Sequence, residues 1–423
     1  MSQPAAILWG KLTPLSLGAL GLALALGALG AASGSPWIAG TADLLQPLGS
    51  LWISALRMTI IPLVVTQLLS ATAGYGGEES IGGIGGRTVG LFVGYLIATG
   101  IASVTVMPFI VELFTVDPAI AASLRAETTI PQAALDVAAG APVSLGEWVT
   151  GLVPVNVFAA AVEGSILPLL VFTALFGLAV ARLPGPQRDE LSALFRALAE
   201  AIMRMVTWVL WATPVAVFAL VLGLTLQLGA EAFGLVGFYV LIVCAWMLAV
   251  TGALYPVSSL LGRTSLLTFG RAVAPAQMVG LSTRSSLASL PALVEGGQEH
   301  LRLSPAGTGF VLPLSASAFK MSTMTAEPVR YLFLAHLFGV PLTLAGTATF
   351  LATLVLLSFS GVGVPRGGSG FDTLPAFLAA GIPIEGLVLV VAVDTIPDLA
   401  KTLINVTGHM SIAAVATRGE RSA

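Results

Sequence analysis

Charged side chains are scarce in this sequence. Only 9% of its 423 residues are Asp, Glu, Lys or Arg, whereas a soluble domain carries about 25%. Hydrophobic residues make up 56% of the chain, and the mean hydropathy is +0.96. So few charges cannot form a surface in contact with water. The composition therefore excludes an ordinary soluble domain and predicts a chain that lies almost wholly in a lipid bilayer.

Cysteine and histidine are also scarce. Cys244 is the single cysteine, so the chain cannot form an internal disulfide. The three histidines, His300, His336 and His409, lack the spacing of metal ligands. Motifs of a serine nucleophile, a phosphate-binding loop and a basic nucleic-acid-binding arm are missing from the sequence. We therefore expect no enzyme, no metal, no cofactor and no nucleic-acid partner.

Apolar stretches that are long enough to span a bilayer recur along the chain. They lie near residues 10–32, 48–74, 88–113, 148–182, 199–228 and 232–262. Arginines are concentrated between Arg182 and Arg204, whereas residues 114–147 contain only Arg125. Positively charged loops stay on the cytoplasmic side. We therefore expect a multi-pass protein of the cell (inner) membrane with both termini in the cytoplasm.

After residue 262 the apolar pattern is interrupted twice, at Ser282–Ser286 and at Ser360–Gly368. Both interruptions are flanked by apolar arms that are short for a full span, which favours re-entrant hairpins over surface loops. Irregular backbone at membrane depth is tolerated where it is buried in protein or lines a cavity, and a pair of such segments indicates a transporter's binding site. We predict hairpin-plus-helix units at about 266–337 and 340–416.

Five polar residues occupy one face of the last apolar segment. At about 100° per residue they fall within an arc of about 80°; they are Asp394, Asp398, Lys401, Asn405 and His409. An ionisable residue at bilayer depth costs about 2.5 kcal/mol or more, so this face is a candidate functional site. Asp398 and Lys401 have the i, i+3 spacing of an ion pair. The alternative is a salt bridge that only holds helices together, for which five polar residues are more than needed.

Short motifs of one transporter family are spread over nearly the whole chain. They are Arg57–Leu63, Val153–Phe158, Glu163-Gly164, Leu167-Pro168, the serine-rich stretch 282–286, Leu312–Leu314, Gly363–Pro365 and Asn405–Gly408. With them the chain resembles the dicarboxylate/amino acid:cation symporter family, the glutamate transporter homologues. The resemblance implies an all-α membrane protein with eight transmembrane helices and two re-entrant hairpins, built from inverted repeats. It also implies a homotrimer and an elevator-type mechanism.

The same resemblance implies a division into scaffold and transport domains. Residues 1–75 and 145–230 would form the scaffold and trimerisation helices, and residues 76–144 the third helix with an external loop. Residues 231–423 would form the transport core. Its parts would be the sixth helix, a hairpin at 266–296, a helix at 304–337, a hairpin at 340–381 and a helix at 384–416.

The resemblance also assigns the substrate site. Asp398 matches the residue that binds the amino group of the substrate, and Lys401 stands where the family has an arginine for the side-chain carboxylate. The remaining predicted substrate-binding residues are Ser285, Ser286, Val364, Pro365, Arg366, Gly367, Thr402 and Asn405. Lys401 keeps the positive charge but loses the bidentate geometry of arginine, so the sequence leaves the substrate open.

The sodium ligands of the family are largely replaced in this chain. Residues 319–323 read Phe-Lys-Met-Ser-Thr where the family has Asn-Met-Asp-Gly-Thr, and His409 replaces an aspartate. Phe, Lys, Met and His supply no hard oxygen ligand. We therefore expect the sodium sites to be largely dismantled, with Lys320 and His409 as fixed cations. An inactive paralogue is the alternative, against which Asp398, Thr402 and Asn405 are retained.

Proton coupling has two candidate carriers. A glutamate at the position of Glu327 carries the proton in the sodium-coupled eukaryotic relatives, and the spacing places Glu327 on the helical face of Lys320. His409 is the other candidate, and Asp394 completes the set of ion-coupling residues. The alternative for Glu327 is that Arg330 or Lys320 pairs with it and keeps it ionised.

We predict a secondary transporter for an acidic amino acid such as glutamate or aspartate. It would be independent of sodium, and proton coupling is left open. The alternatives are an exchanger or facilitator for a dicarboxylate or neutral amino acid, a sodium-coupled symporter with rearranged ion sites, and an anion channel. The expected partners are a small anionic substrate, protons, the lipid bilayer and two further copies of the chain.

Overall fold

The fold is taken from a computed structural model, which describes residues 3–73, 83–114, 145–163, 165–229, 231–304, 307–360, 373–383, 386–387, 390, 393–394 and 396–418. Over these ranges the regular secondary structure is helical, without a strand. The predicted all-α fold class is thereby confirmed. The arrangement as eight spanning helices, two re-entrant hairpins and inverted repeats stays a prediction.

In the described part of the chain before residue 230 there are eight helices. They are α1 (Gln3–Ser33), α2 (Pro36–Ala73), α3 (Gly83–Val111), α4 (Leu145–Thr150), α5 (Val157–Glu163), α6 (Ile166–Ala181), α7 (Gly185–Trp211) and α8 (Thr213–Leu228). The helices that follow are α9 (Glu231–Gly262), α10 (Leu266–Thr283), α11 (Leu290–Glu299), α12 (Leu312–Ala318), α13 (Met321–Phe338), α14 (Leu344–Ser360), α15 (Leu374–Ala379) and α16 (Pro397–Ala416). A π-helical turn, Gly307–Val311, leads into α12.

Three helical segments in the described part of the chain are long and apolar enough to cross a membrane. They are Pro14–Ser33, Ile84–Val111 and Ala232–Gly262. Helices α7 and α8 pass the same test together and are bent by 53° at their junction, so they count as a fourth span if they are one broken helix. Shorter apolar helices lie at Ile166–Ala181 and Leu344–Ser358.

The helices pack in two groups. Helix α2 packs against α1, α6, α7 and α8, and helix α16 packs against α3, α9, α10, α12 and α13. Helix α9 of the second group also contacts α1 and α8 of the first. Helix α14 touches members of both groups, since it packs against α2 and α6 on one side and against α3 and α13 on the other. The predicted division into scaffold and transport core stays a prediction. Whether one group moves against the other stays a prediction.

The first predicted hairpin is a pair of packed helices. The side chain of Ser265 caps α10 by accepting a hydrogen bond from the Thr268 amide at 3.0 Å. Arg284 directly follows the last residue of helix α10 and caps it. Its φ of 51° lies in the left-handed region and turns the chain towards α11. The two helices pack side by side, and the serine-rich stretch forms the turn between them.

The predicted helix at 304–337 is broken. Phe319 and Lys320 leave helical geometry between α12 and α13, with ψ values of 119° and 87°. The break exposes the carbonyl end of α12 and the amide end of α13 to side-chain partners.

The last predicted helix, 384–416, is also interrupted. Val393 and Asp394 form a turn, and α16 begins at Pro397. Proline has no N–H to donate to the carbonyl of Val393 and its ring crowds that carbonyl, so a continuous helix is disfavoured here. Asp394 therefore lies in the turn before the helix, and its carboxylate still reaches Lys401 on the predicted polar face.

The second predicted hairpin, 340–381, contains α14 and α15, which contact each other. Its tip, with Val364, Pro365, Arg366 and Gly367, lies outside the described residues.

Close packing of the first hairpin depends on Gly296. A Cβ atom at Gly296 would lie 2.1 Å from the carbonyl oxygen of Ala272, so Gly296→Ala must push α11 away from α10. We expect this change to destabilise the protein by about 1–3 kcal/mol. Thermal unfolding in detergent measures the effect. Gly252→Ala is the matched control, because a Cβ at this position of α9 meets no described atom within 4 Å; an equal loss in both variants would contradict the packing argument.

Candidate functional site

A fully buried arginine lies at the centre of the polar interior. The Arg330 guanidinium on α13 has 0% exposure and three partners from three parts of the chain. Its Nη1 donates to Glu327 Oε2 at 3.0 Å, its Nη2 to Asp394 Oδ1 at 2.7 Å, and its Nε to the hydroxyl of Tyr239 on α9 at 3.1 Å. Glu327 is thus paired with Arg330, one of the two basic residues that the sequence offered as its alternative partner.

Lys401 on α16 completes this group of charges. Its Nζ donates to both oxygens of Asp394, at 2.7 Å and 2.6 Å. The hydrogen bonds of Lys401 thus go to Asp394, whereas its interaction with the i, i+3 neighbour Asp398 is electrostatic. The reason is the turn before Pro397, from which Asp394 reaches along the start of α16 to the ammonium group.

We call Glu327, Arg330, Asp394 and Lys401 the charge cluster. It contains two acids and two bases, so its formal charge is zero. Burial of an ion is expensive unless counter-charges and hydrogen bonds compensate it, and this balance meets that condition. Lys401 is the most exposed member at 14%, whereas the other three side chains are at most 5% exposed. The cluster thus presents one cation at its rim.

Lys320 occupies the break between α12 and α13. Its Nζ donates to the carbonyl oxygen of Ala316 at 3.2 Å and to the hydroxyl of Ser286 at 3.3 Å. The carbonyls in the last turn of a helix lack intrahelical partners and carry partial negative charge. The ammonium group therefore joins the end of α12 to the turn of the first hairpin. Because Lys320 lies before α13, the expected common helical face with Glu327 is wrong.

Phe319, the other residue of the break, packs among aromatic rings. Its ring stacks on Phe92 of α3 with centroids 4.9 Å apart and meets Tyr95 edge-on at 6.5 Å. The space around this residue is thus filled by apolar rings.

Thr99 on the same helix α3 donates to the carbonyl of Tyr95 at 2.7 Å, so its hydroxyl is used within its own helix.

Asn405 holds the first turn of α13. Its Oδ1 accepts from the amide of Ser322 at 2.9 Å, and its Nδ2 donates to the hydroxyl of Ser322 at 3.0 Å. An amide in the first turn of a helix has no partner within that helix. Asn405 supplies that partner across 83 residues of sequence.

His409 is fully buried beside the helix break. Its Nε2 forms a hydrogen bond with the carbonyl oxygen of Phe319 at 2.9 Å. Its Nδ1 has no hydrogen-bond partner among the described residues. The imidazole of His409 is therefore held by a hydrogen bond at one nitrogen only.

The remaining predicted substrate residues that the structure describes lie around Asp398. This carboxylate is partly exposed and interacts electrostatically with Lys401, Asp394 and Arg284. Thr402 donates to the carbonyl of Asp398 at 2.9 Å. In the hairpin turn, Ser285 accepts from the Ala288 amide at 3.2 Å, and Ser286 is bonded to Lys320. The structure thus brings the hairpin turn, the helix break and the start of α16 to one place.

Arg330 and Tyr239 are the residues that sequence reasoning undervalued. The sequence pattern suggests Arg330 only as an alternative partner of Glu327, and it gives no signal for Tyr239. An arginine within an apolar segment, three residues after a glutamate, was a usable signal. Tyr239 lies 91 residues before Arg330, and no local pattern connects the two.

Among the described residues, no group of three or more His, Cys, Asp or Glu side chains is placed to hold a metal ion.

Comparison with known proteins places the chain in a transporter family. Residues 12–418 match the profile of the Sodium:dicarboxylate symporter family. The chain is 28% identical to a proton/glutamate-aspartate symporter of Escherichia coli over 89% of its own length and 86% of that protein. It is 27% identical to a proton/sodium-glutamate symport protein of Bacillus subtilis, with coverage of 89% and 86%. A C4-dicarboxylate transport protein of Bacillus subtilis is 26% identical, with coverage of 89% and 87%.

The helical membrane fold and the buried polar site define a membrane transporter. The chain belongs to the Sodium:dicarboxylate symporter family, and it is a secondary transporter and not an enzyme. The resemblance read from the sequence motifs is thereby confirmed.

The role of Asn405 can be tested by two truncations. Asn405→Ala removes both bonds and leaves the buried Ser322 amide unsatisfied, which we expect to cost about 1–3 kcal/mol of stability. Ser322→Ala removes the hydroxyl partner but keeps the amide bond, so its loss should be smaller. Melting temperatures of the substrate-free protein in detergent report the order. A Ser322→Ala loss as large as that of Asn405→Ala would rule out the amide bond as the main contribution.

Proposed function

We propose that this transporter carries an acidic amino acid, such as glutamate or aspartate, across the cell membrane without sodium. The proposal includes a proton gradient as the driving force when the substrate is concentrated. It also includes the homotrimer and the elevator mechanism that the resemblance implies. The two packing groups of helices support a mechanism in which one group moves against the other.

The observation that carries the proposal is the ammonium group of Lys320 at the helix break. It donates to the Ala316 carbonyl at the end of α12, where partial negative charge favours a cation. A tethered ammonium of this kind can replace a mobile cation. Phe319 and His409 fill neighbouring space with rings, and neither offers the oxygen ligands that a hard cation needs.

An acidic amino acid suits the charges around α16. The partly exposed carboxylate of Asp398 can bind the ammonium group of the substrate, and Lys401 at the rim of the charge cluster can bind a carboxylate. Arg284 and Arg366 are reserve ligands for the carboxylates, the first in the hairpin turn and the second outside the described residues. The relatives named as glutamate or glutamate-aspartate symporters support this substrate class.

A C4-dicarboxylate is the second candidate, because relatives at 26–27% identity are named as C4-dicarboxylate transport proteins. Such a substrate has no ammonium group, so Asp398 would face it as a like charge. We therefore prefer the amino acid.

Proton coupling points to His409 in this proposal. Glu327 neutralises the buried guanidinium of Arg330, so a proton on Glu327 would leave that cation partly uncompensated. His409 has one nitrogen without a described partner, and imidazole titrates near neutral pH in its ordinary state. Burial of the ring and the neighbouring ammonium group of Lys320 both oppose a positive charge on His409, so in this proposal the imidazole takes up its proton in a state that is open to water.

Ion dependence is tested in proteoliposomes with labelled aspartate. We expect the same initial uptake in sodium and choline buffers, because Lys320 supplies the cation at the helix break. An inward pH gradient should increase accumulation, and His409→Asn should remove that increase while exchange continues. Glu327→Gln is the comparison variant and should keep the response. A saturable requirement for sodium would overturn sodium independence, and exchange without any response to pH would overturn proton drive.

The substrate class is tested with Asp398→Asn. We expect aspartate affinity to fall about tenfold or more, since a charge-assisted bond contributes about 1.5–3 kcal/mol. Affinity for succinate or malate should stay the same or increase, because a negative charge is removed. Asp189→Asn is the control, since it makes the same charge change at a side chain with 71% exposure. A larger loss for the dicarboxylate than for aspartate would favour the second candidate.

A further inference from the structure

The charge cluster combines one fixed cation with one that can move. Arg330 is anchored by three partners and has no exposure, whereas Lys401 is held by Asp394 and is 14% exposed. A lysine ammonium sits on a flexible four-carbon stem. Of the two cations, Lys401 is therefore the one that can leave its carboxylate for another.

The geometry at Asp394 makes such a departure possible. Oδ1 accepts from both Arg330, at 2.7 Å, and Lys401, at 2.7 Å, while Oδ2 accepts from Lys401 at 2.6 Å. When Lys401 leaves, Asp394 keeps the bond to Arg330. Without Arg330, the same step would leave a buried carboxylate with no described cation, which is strongly unfavourable.

We infer that Arg330 is a positioning residue for anion binding, which keeps Asp394 compensated while Lys401 exchanges Asp394 for a carboxylate of the substrate. The inference rests on the proposed function, since it requires an anionic substrate at Lys401. In this inference Arg330 sets the affinity of the protein for the anion although it does not contact the anion.

Energetics explain why Arg330 is needed. The exchange replaces the two bonds from Lys401 to the Asp394 carboxylate by bonds to a substrate carboxylate, so its net cost depends mainly on what happens to Asp394. Tyr239 and Glu327 hold the guanidinium at 3.1 Å and 3.0 Å, so it stays in place when Lys401 moves. A purely structural role, in which Arg330 only joins α9, α13 and the turn before α16, predicts lower stability but no specific effect on anion affinity.

The test uses three variants in which the net charge of the cluster is controlled. Glu327→Gln leaves two cations and Asp394, a charge of +1. Adding Arg330→Met gives a charge of zero and leaves Lys401 as the only described cation on Asp394. Adding Asp394→Asn to that double variant restores the charge to +1 and frees Lys401. The single and triple variants thus have equal charge but differ in whether Arg330 is present.

Aspartate affinity is measured by calorimetry on each purified full-length variant. We expect the double variant to bind about ten- to a hundredfold more weakly than Glu327→Gln, because Lys401 cannot leave Asp394 uncompensated. The triple variant should return to within about threefold of Glu327→Gln. Unchanged affinity in the double variant, or a triple variant that folds but does not recover, would overturn the inference.

A measurement without substrate separates this inference from the proposed function. Reductive methylation followed by mass spectrometry reports how accessible the Lys401 amine is. We expect slower labelling of Lys401 in the double variant than in the single and triple variants. That order, together with no binding of any acidic amino acid by the wild type, would retain the role of Arg330 and reject the proposed substrate. Equal labelling in all three would reject the role of Arg330.

A simpler variant covers the case in which the double variant does not fold. Asp394→Asn alone leaves Arg330 paired with Glu327 and removes the carboxylate that competes for Lys401. We expect tighter binding of aspartate than in the wild type, by about tenfold. Weaker binding in a folded Asp394→Asn protein would contradict the exchange of partners.

Discussion

The compensation of a buried guanidinium is the constraint on which the rest of the site depends. Arg330 has no exposure, so its charge must be met inside the protein. Glu327, Asp394 and Tyr239 meet it, and this fixes α13 against α9 and against the turn before α16. Asp394 in turn holds Lys401, which is the most exposed member of the cluster. One buried cation thus determines where the site presents its accessible cation.

The same principle operates at the break between α12 and α13. There the ammonium of Lys320 meets the carbonyl end of α12, and the ring of Phe319 joins an aromatic cluster with Phe92 and Tyr95. Asn405 caps the opposite side of the break at Ser322. Side chains of the protein itself therefore form hydrogen bonds with the backbone carbonyl and amide groups that the break leaves without helical partners. This is the physical basis for proposing transport without sodium by a member of a sodium:dicarboxylate symporter family.

The membrane fold class and the family were predictable from sequence, because they depend on composition and on local motifs. The scarcity of charge predicts a membrane protein, and spread-out motifs identify the family. The break at Pro397 had a local signal, the proline itself, that the helical projection did not use, but the projection did place Asp394 near Lys401. The pairing of Arg330 with Asp394 joins residues 64 positions apart, so it depends on packing that no periodicity encodes. The roles assigned to Asp398, Lys401 and the hairpin tips stay predictions.

The central claim is that side-chain cations occupy the interior positions that mobile cations would otherwise take. Equilibrium binding of radioactive sodium to the purified protein, with and without aspartate, tests it most directly. We expect no saturable sodium binding in either condition, because Lys320 already meets the carbonyl end of α12, and Arg330 and Lys401 together already neutralise the two buried acids. Saturable binding of sodium that aspartate strengthens would contradict it.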